Sequence, residues 1–240
     1  MSQLIASHLS KHYAQRPIVQ DISIEVTSGT VVGLLGPNGA GKTTMFYMIS
    51  GASHPNHGQL FLDQTEISHL PMYKRAQMGI RYLPQEPSIF RKLTVLENLM
   101  GVAELTSLSK QQQQDRVQSL LEEMKLSHLS SQKAYTLSGG ERRRLEIARM
   151  LVTLPKFLLM DEPFSGVDPI SIQDLQHIIS TLKDKNIGIL ITDHNVRETL
   201  KIVDKAYLIH GGKIIYSGNN EDLLKDRDSR KYYLGEHYEN

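Results

Sequence analysis

From Ile18 to Val26 apolar and polar residues mostly alternate, the period of a half-buried strand, and the run stops at Ser28-Gly29. Three later runs break that alternation: Val31 to Leu35, Phe157 to Met160 and Ile187 to Ile191 are almost continuously apolar and end in polar or glycine residues. Short runs of this kind suit strands buried on both faces, as in a parallel sheet. Between the first two, Leu96 to Leu151 is rich in Leu, Gln, Glu, Lys and Arg at helical spacing. The pattern predicts an α/β chain: a mainly parallel sheet with helices on both faces, an antiparallel β edge and an inserted helical lobe. Residues 1–86 and 155–240 would form the core and 87–154 the lobe. Gln111 to Gln114, the one low-complexity patch, reads as a solvated helix start.

Composition narrows the function classes. Twenty-seven basic residues against 26 acidic ones leave a formal net charge of +1, with no broad field for nucleic acid or anionic lipid, so no nucleic-acid partner is expected. No run approaches the roughly 18 apolar residues of a membrane span, and Met1 to Leu9 lacks the apolar core of a signal peptide. A cytosolic protein is expected. The absence of cysteine excludes disulfides and thiolate metal sites, and the ten histidines show no ligand spacing such as H-E-x-x-H, so no transition metal is expected.

Gly36-Pro37-Asn38-Gly39-Ala40-Gly41-Lys42-Thr43 matches G-x-x-x-x-G-K-[ST], between the strand Val31 to Leu35 and a helical run Thr44 to Ser50. Glycines let successive N–H groups point inward at a phosphate, and the helix N-terminus adds partial positive charge. Lys42 would reach the β and γ phosphates and Thr43 would offer its hydroxyl to Mg²⁺. The motif in this context predicts a P-loop nucleotide hydrolase of RecA-like fold, with ATP and Mg²⁺.

Phe157 to Met160 runs into Asp161-Glu162-Pro163, placing two carboxylates at the carboxyl end of a buried strand, where open parallel sheets bind ligands. Neighbouring strand residues face opposite sides, so the two acids can differ in role. Asp161 would hold Mg²⁺, directly or through its hydration shell, and Glu162 would orient or deprotonate the attacking water. The next buried strand ends in Thr192-Asp193-His194. His194 is placed to sense the γ phosphate, while Thr192 or Asp193 could simply cap a helix from Asn195 to Val203.

Leu137-Ser138-Gly139-Gly140-Glu141 opens a helix, Arg142 to Val152. Ser138 and Glu141 fit a capping box, which leaves unexplained two glycines in the first turn, each costing about 1 kcal/mol relative to alanine. Close approach to that backbone is expected, and a helix start with a serine hydroxyl is a second anion site. With one phosphate loop per chain, a second copy is the natural source of the phosphate, and ATP would lie between two subunits.

The order of Gly36 to Thr44, Gln85, Leu137 to Glu141, Phe157 to Glu162, Ser165-Gly166-Val167-Asp168 and His194 resembles the nucleotide-binding domain of ABC transporters. The resemblance implies that Tyr13 stacks on adenine and that Gln85 touches Mg²⁺ and relays to a membrane partner. It implies that Ser138, Gly139, Gly140, Glu141 and Asp168 complete the opposite subunit's site. Phe90 and Arg91, with Lys92, stand in Tyr82 to Thr94 at the entrance to the lobe; Phe90 could anchor a helix of a membrane subunit or pack inside the lobe. Over essentially the whole chain the text is similar to the ATPase subunits of lipopolysaccharide-export transporters, carried by Tyr82 to Phe90, Asp161 to Ser171, Asp193 to Thr199 and Tyr233-Leu234-Gly235-Glu236. That likeness implies a homodimer, peripheral on the cytoplasmic face of an inner membrane, bound to two integral membrane subunits that handle the lipid. The ATPases of branched-chain amino-acid importers have a close sequence style, and a soluble non-transport ABC protein is the reading from another class. Thr30 departs from the acidic residue many relatives carry there, and Gly101 to Lys133 contains no motif that bears on function.

Overall fold

The computed structural model describes residues 1–225; the Tyr233 to Glu236 stretch lies outside the described residues. In chain order the elements are β1 (Gln3–Tyr13), β2 (Arg16–Thr27), β3 (Val31–Leu35), α1 (Lys42–Ser50), β4 (His57–Leu62), β5 (Thr65–Glu66), α2 (Met72–Gln77) and β6 (Ile80–Leu83). Helices α3 (Val95–Ala103), α4 (Lys110–Glu123) and α5 (Gly139–Leu151) follow, then β7 (Phe157–Asp161), α6 (Pro169–Asp184), β8 (Gly188–Thr192), α7 (Val196–Leu200), β9 (Lys205–His210), β10 (Lys213–Asn219) and α8 (Asn220–Lys225). A six-stranded sheet runs β10-β9-β3-β8-β7-β6, parallel except for the edge strand β10. A separate antiparallel sheet runs β2-β1-β4-β5.

The continuous apolar runs have the predicted cause. Every residue of β3, β7 and β8 is buried, and alternate side chains serve two cores. Val31, Leu35, Leu158, Met160, Ile189 and Ile191 pack toward α3, α4, α5 and α6. Val32, Leu34, Phe157, Leu159 and Leu190 pack toward α1 and the antiparallel sheet. The second face therefore differs from the expected helix layer: α1 is sandwiched between two sheets. The half-alternating pattern of β2 is also explained. Its buried positions step from Val19 to Ile22, Ile24 and Val26, a change of parity at a register shift where Asp21 has φ 56°. On β1 the same change occurs at His8, φ 53°, and the His8 ring lies 2.7 Å from the Asp21 carboxylate. Paired bulges keep one face of each strand inward.

Helix starts follow their caps. Thr94, Ser109 and Ser138 each form a reciprocal capping box, with Glu97, Gln112 and Glu141. The glutamine patch thus begins α4 as expected, except that Gln113 turns inward and donates to the Leu108 carbonyl at 3.0 Å. α5 starts at Gly139, three residues earlier than its charged run implied, because both glycines are helical. α7 is shorter than expected and is capped by Asn195 rather than by Thr192 or Asp193.

Candidate nucleotide site

The phosphate loop connects the central strand β3 to α1, so it lies at the carboxyl end of the sheet. Two glycines are dictated by space: a Cβ on Gly36 would sit 2.2 Å from the Ile209 carbonyl, and one on Gly41 would sit 2.8 Å from that of Ile18. Gly41 precedes α1 with φ 110° and caps it without a side chain, and the first turn holds no acidic residue. The helix start therefore keeps its positive end for an anion. Lys42, 6% exposed, donates to the carbonyls of Gly36 at 2.7 Å and Pro37 at 3.0 Å, spanning the loop. Burial pushes its ammonium below the ordinary lysine value, against the pull of Glu162, Asp161 and Asp193.

Asp161 ends β7 at 2% exposure. Burial raises its carboxyl above the usual range, opposed by hydrogen bonds from the Tyr82 and Thr43 hydroxyls. A buried carboxylate bonded to the Thr43 hydroxyl is the hard oxygen set that Mg²⁺ takes, with few protein ligands and the rest left to water and phosphate. No cluster of three or more His, Cys, Asp or Glu that could hold a metal ion forms among the described residues. Glu162 lies just past the end of β7 with φ 45°, so strand alternation does not set its direction. Its Oε2 accepts from Gln85 Nε2 at 2.8 Å and lies 3.3 Å from His194 Nδ1.

Lys42, Thr43, Gln85, Glu162 and His194 thus line one open cleft of about 670 Å³, together with Asn38, Gly39, Gly41 and Thr44. Its wall also includes Arg16 and Ile18, which no motif marks. Tyr13, half exposed, pairs with Arg16 across the β1–β2 hairpin.

Ser138 to Glu141 do not join this cleft. Gly139 lines a second hollow with Gln85, Arg143 and Ser165, while Ser138 and Gly139 are exposed. Part of the glycine requirement is internal: a Cβ on Gly140 would fall 2.3 Å from Ser171 Oγ of α6. Asp168 caps α6, accepting from the Ser171 amide at 3.0 Å. Phe90 is 53% exposed, with the Arg149 guanidinium 4.7 Å from its ring centre. Arg91 is exposed beside it.

Sequence reasoning missed a charged pair behind the cleft. Arg143, its side chain 7% exposed, bonds Glu146 at 2.8 Å and donates to the carbonyls of Pro84 at 3.0 Å and Asp161 at 3.1 Å. Glu146 also accepts from the Ser88 amide at 2.8 Å. The signal was spacing: 143 and 146 share the inward face of α5 with the apolar 147 and 150.

The ABC transporter family model matches residues 19–165. The chain is 52% identical over 239 residues to the lipopolysaccharide export system ATP-binding protein LptB of Haemophilus influenzae, covering 99% of each. It is 50% identical to the protein of that name from Escherichia coli, again over 99% of each. Among solved structures, a nucleotide-free ATP-binding cassette from an ABC transporter superposes with a TM-score of 0.87 at 31% identity, covering 98% of this chain and 100% of the other. With a matching family model and relatives of this identity along its length, the chain belongs to the ABC transporter family, as one of its ATP-hydrolysing subunits.

Proposed function

We propose that this chain drives lipopolysaccharide export from the inner membrane toward the outer membrane, as a homodimer seated on two integral membrane subunits at the cytoplasmic face. The full-length likeness to proteins named for that export system supports the substrate. No helix of the described residues is long and apolar enough to cross a membrane, which leaves the lipid to the partners.

The chemistry rests on one observation: the Glu162 carboxylate stands at the mouth of the phosphate loop, bridged to Gln85 and His194. In this reading Gly36 to Thr44 wrap the triphosphate, Lys42 meets the β and γ phosphates, and Tyr13 stacks on adenine. Thr43, Asp161 and Gln85 would hold Mg²⁺, which would supply charge neutralisation at the phosphate oxygens. Glu162 orients the attacking water and takes its proton, worth about 10² to 10⁴ in rate. His194 holds Glu162 and meets the γ phosphate. Ser138, Gly139, Gly140, Glu141 and Asp168 of a second copy close the site, an arrangement supported by the exposure of Ser138, Gly139 and Asp168. Phe90 and Arg91 meet the membrane subunits, a reading supported by their exposure.

Depletion of the protein in its host, followed by assay of lipopolysaccharide at the cell surface, tests the substrate. Loss of surface lipopolysaccharide, with co-purification of two membrane proteins, is the expected result; unchanged surface lipopolysaccharide refutes it.

A further inference from the structure

The turn that carries Glu162 is strained. Its φ is 45°, a left-handed conformation that a non-glycine residue holds only when its surroundings impose it. Two main-chain bonds help impose it: the Glu162 amide donates to the Thr192 carbonyl at 2.7 Å, and the Ser165 amide to the Glu162 carbonyl at 3.2 Å. The third comes from a side chain. Asp193, with 0% exposure, accepts the Phe164 amide on Oδ2 at 2.9 Å. Its other oxygen accepts the Asn195 amide at 2.8 Å. One buried carboxylate therefore clasps the residues on both sides of the site, the turn after Glu162 and the turn after His194. Contact between His194 Nδ1 and Glu162 Oε2 closes the ring.

We infer that Asp193 is a positioning residue for hydrolysis: it fixes Glu162 and His194 relative to each other by bonding the main chain next to each. This rests on Glu162 being the base. A carboxylate suits the task because both oxygens accept; an asparagine would turn its NH₂ toward one of the two amides and release it. Release shifts the Glu162 carboxylate, while the bonds by which Lys42 spans the phosphate loop, to the Gly36 and Pro37 carbonyls, stay in place.

The test compares the full-length protein with Asp193→Asn, Glu162→Gln and the double variant, in steady-state ATP hydrolysis and in ATP binding. Asp193→Asn is expected to lower kcat by about tenfold to a hundredfold, as for a small misplacement of a reacting group, with KM and ATP affinity within about twofold and the rate expressed per folded molecule. In single turnover, Asp193→Asn should add nothing to Glu162→Gln, since both act through one carboxylate. A kcat within twofold of the parent overturns the inference, as does a fall matched by weaker ATP binding or a further loss in the Glu162→Gln background. If Asp193→Asn does not fold, Asp193→Thr, which is smaller and retains one acceptor, must show the same split. Undiminished turnover in Glu162→Gln would remove the base itself and the inference with it; an inactive Glu162→Gln beside a normal Asp193→Asn would remove only the inference.

Discussion

Replacing Arg143 with methionine isolates the support behind the site. The substitution keeps an unbranched apolar stem but removes a guanidinium that bonds the Glu146 carboxylate and two main-chain carbonyls, those of Pro84 and Asp161. Glu146, its side chain 3% exposed, would keep only the Ser88 amide. Breaking one member of a buried ion pair costs about 3–5 kcal/mol, about a fifth or more of the roughly 5–15 kcal/mol by which a domain is stable. Glu146→Leu should cost a comparable amount, because it strands the guanidinium. Arg143→Met/Glu146→Leu should be less destabilised than the sum by about 2–3 kcal/mol, since the double variant leaves no unpaired charge. Urea unfolding of the four proteins measures this directly, with equal m values showing that the midpoints report stability. Simple additivity would refute the view that the two side chains are a mutually dependent buried pair. Because Pro84 adjoins Gln85 and Asp161 adjoins Glu162, the folded fraction of Arg143→Met should also show a lowered kcat.

Two further outcomes follow from the geometry. Lys42→Ala should raise the Kd for ATP by about tenfold or more, the worth of a charge-assisted bond of about 1.5–3 kcal/mol; unchanged affinity by calorimetric titration would contradict the role given to Lys42. Gly140→Ala should cost about 1–3 kcal/mol by overpacking, because its methyl would meet Ser171 Oγ at 2.3 Å; thermal unfolding should show recovery on adding Ser171→Gly, and no recovery would place the cause elsewhere.

The parts of the fold that were legible are those written in contiguous residues. Val31 to Leu35 and Phe157 to Met160 announce doubly buried strands by their composition, and Gly36 to Thr43 declares its loop because phosphate geometry demands glycine and lysine at fixed spacing. The antiparallel sheet was only partly visible. Its second half depends on β1 pairing with β4, Leu4 opposite Leu62, a contact between residues far apart in the chain. Buried charge was hidden for a different reason. Arg75 is fully buried and donates to the carbonyls of Met48 and Ile49 at the end of α1 and to those of Ser68 and Leu70, and burial lowers its guanidinium to about 10. In sequence it is one more arginine on a short polar helix. Asp193 shares that disguise, since the amides it accepts from are main-chain groups, which carry no sequence signal; Arg143 and Glu146 also bond the main chain, and only their i,i+3 spacing hints at the pair. The Gly139-Gly140 pair signals close approach to that backbone, but not that Ser171 of the same chain would be one of the neighbours.

Light scattering of the Glu162→Gln protein with Mg²⁺ and ATP tests most directly whether one triphosphate is held by Lys42 of one copy and enclosed by Ser138 of another. The predicted species has twice the 27.1 kDa mass of the chain, retains unhydrolysed ATP, and reverts to the single chain when Ser138 or Lys42 is also replaced. A species of single-chain mass at saturating ATP would contradict the account.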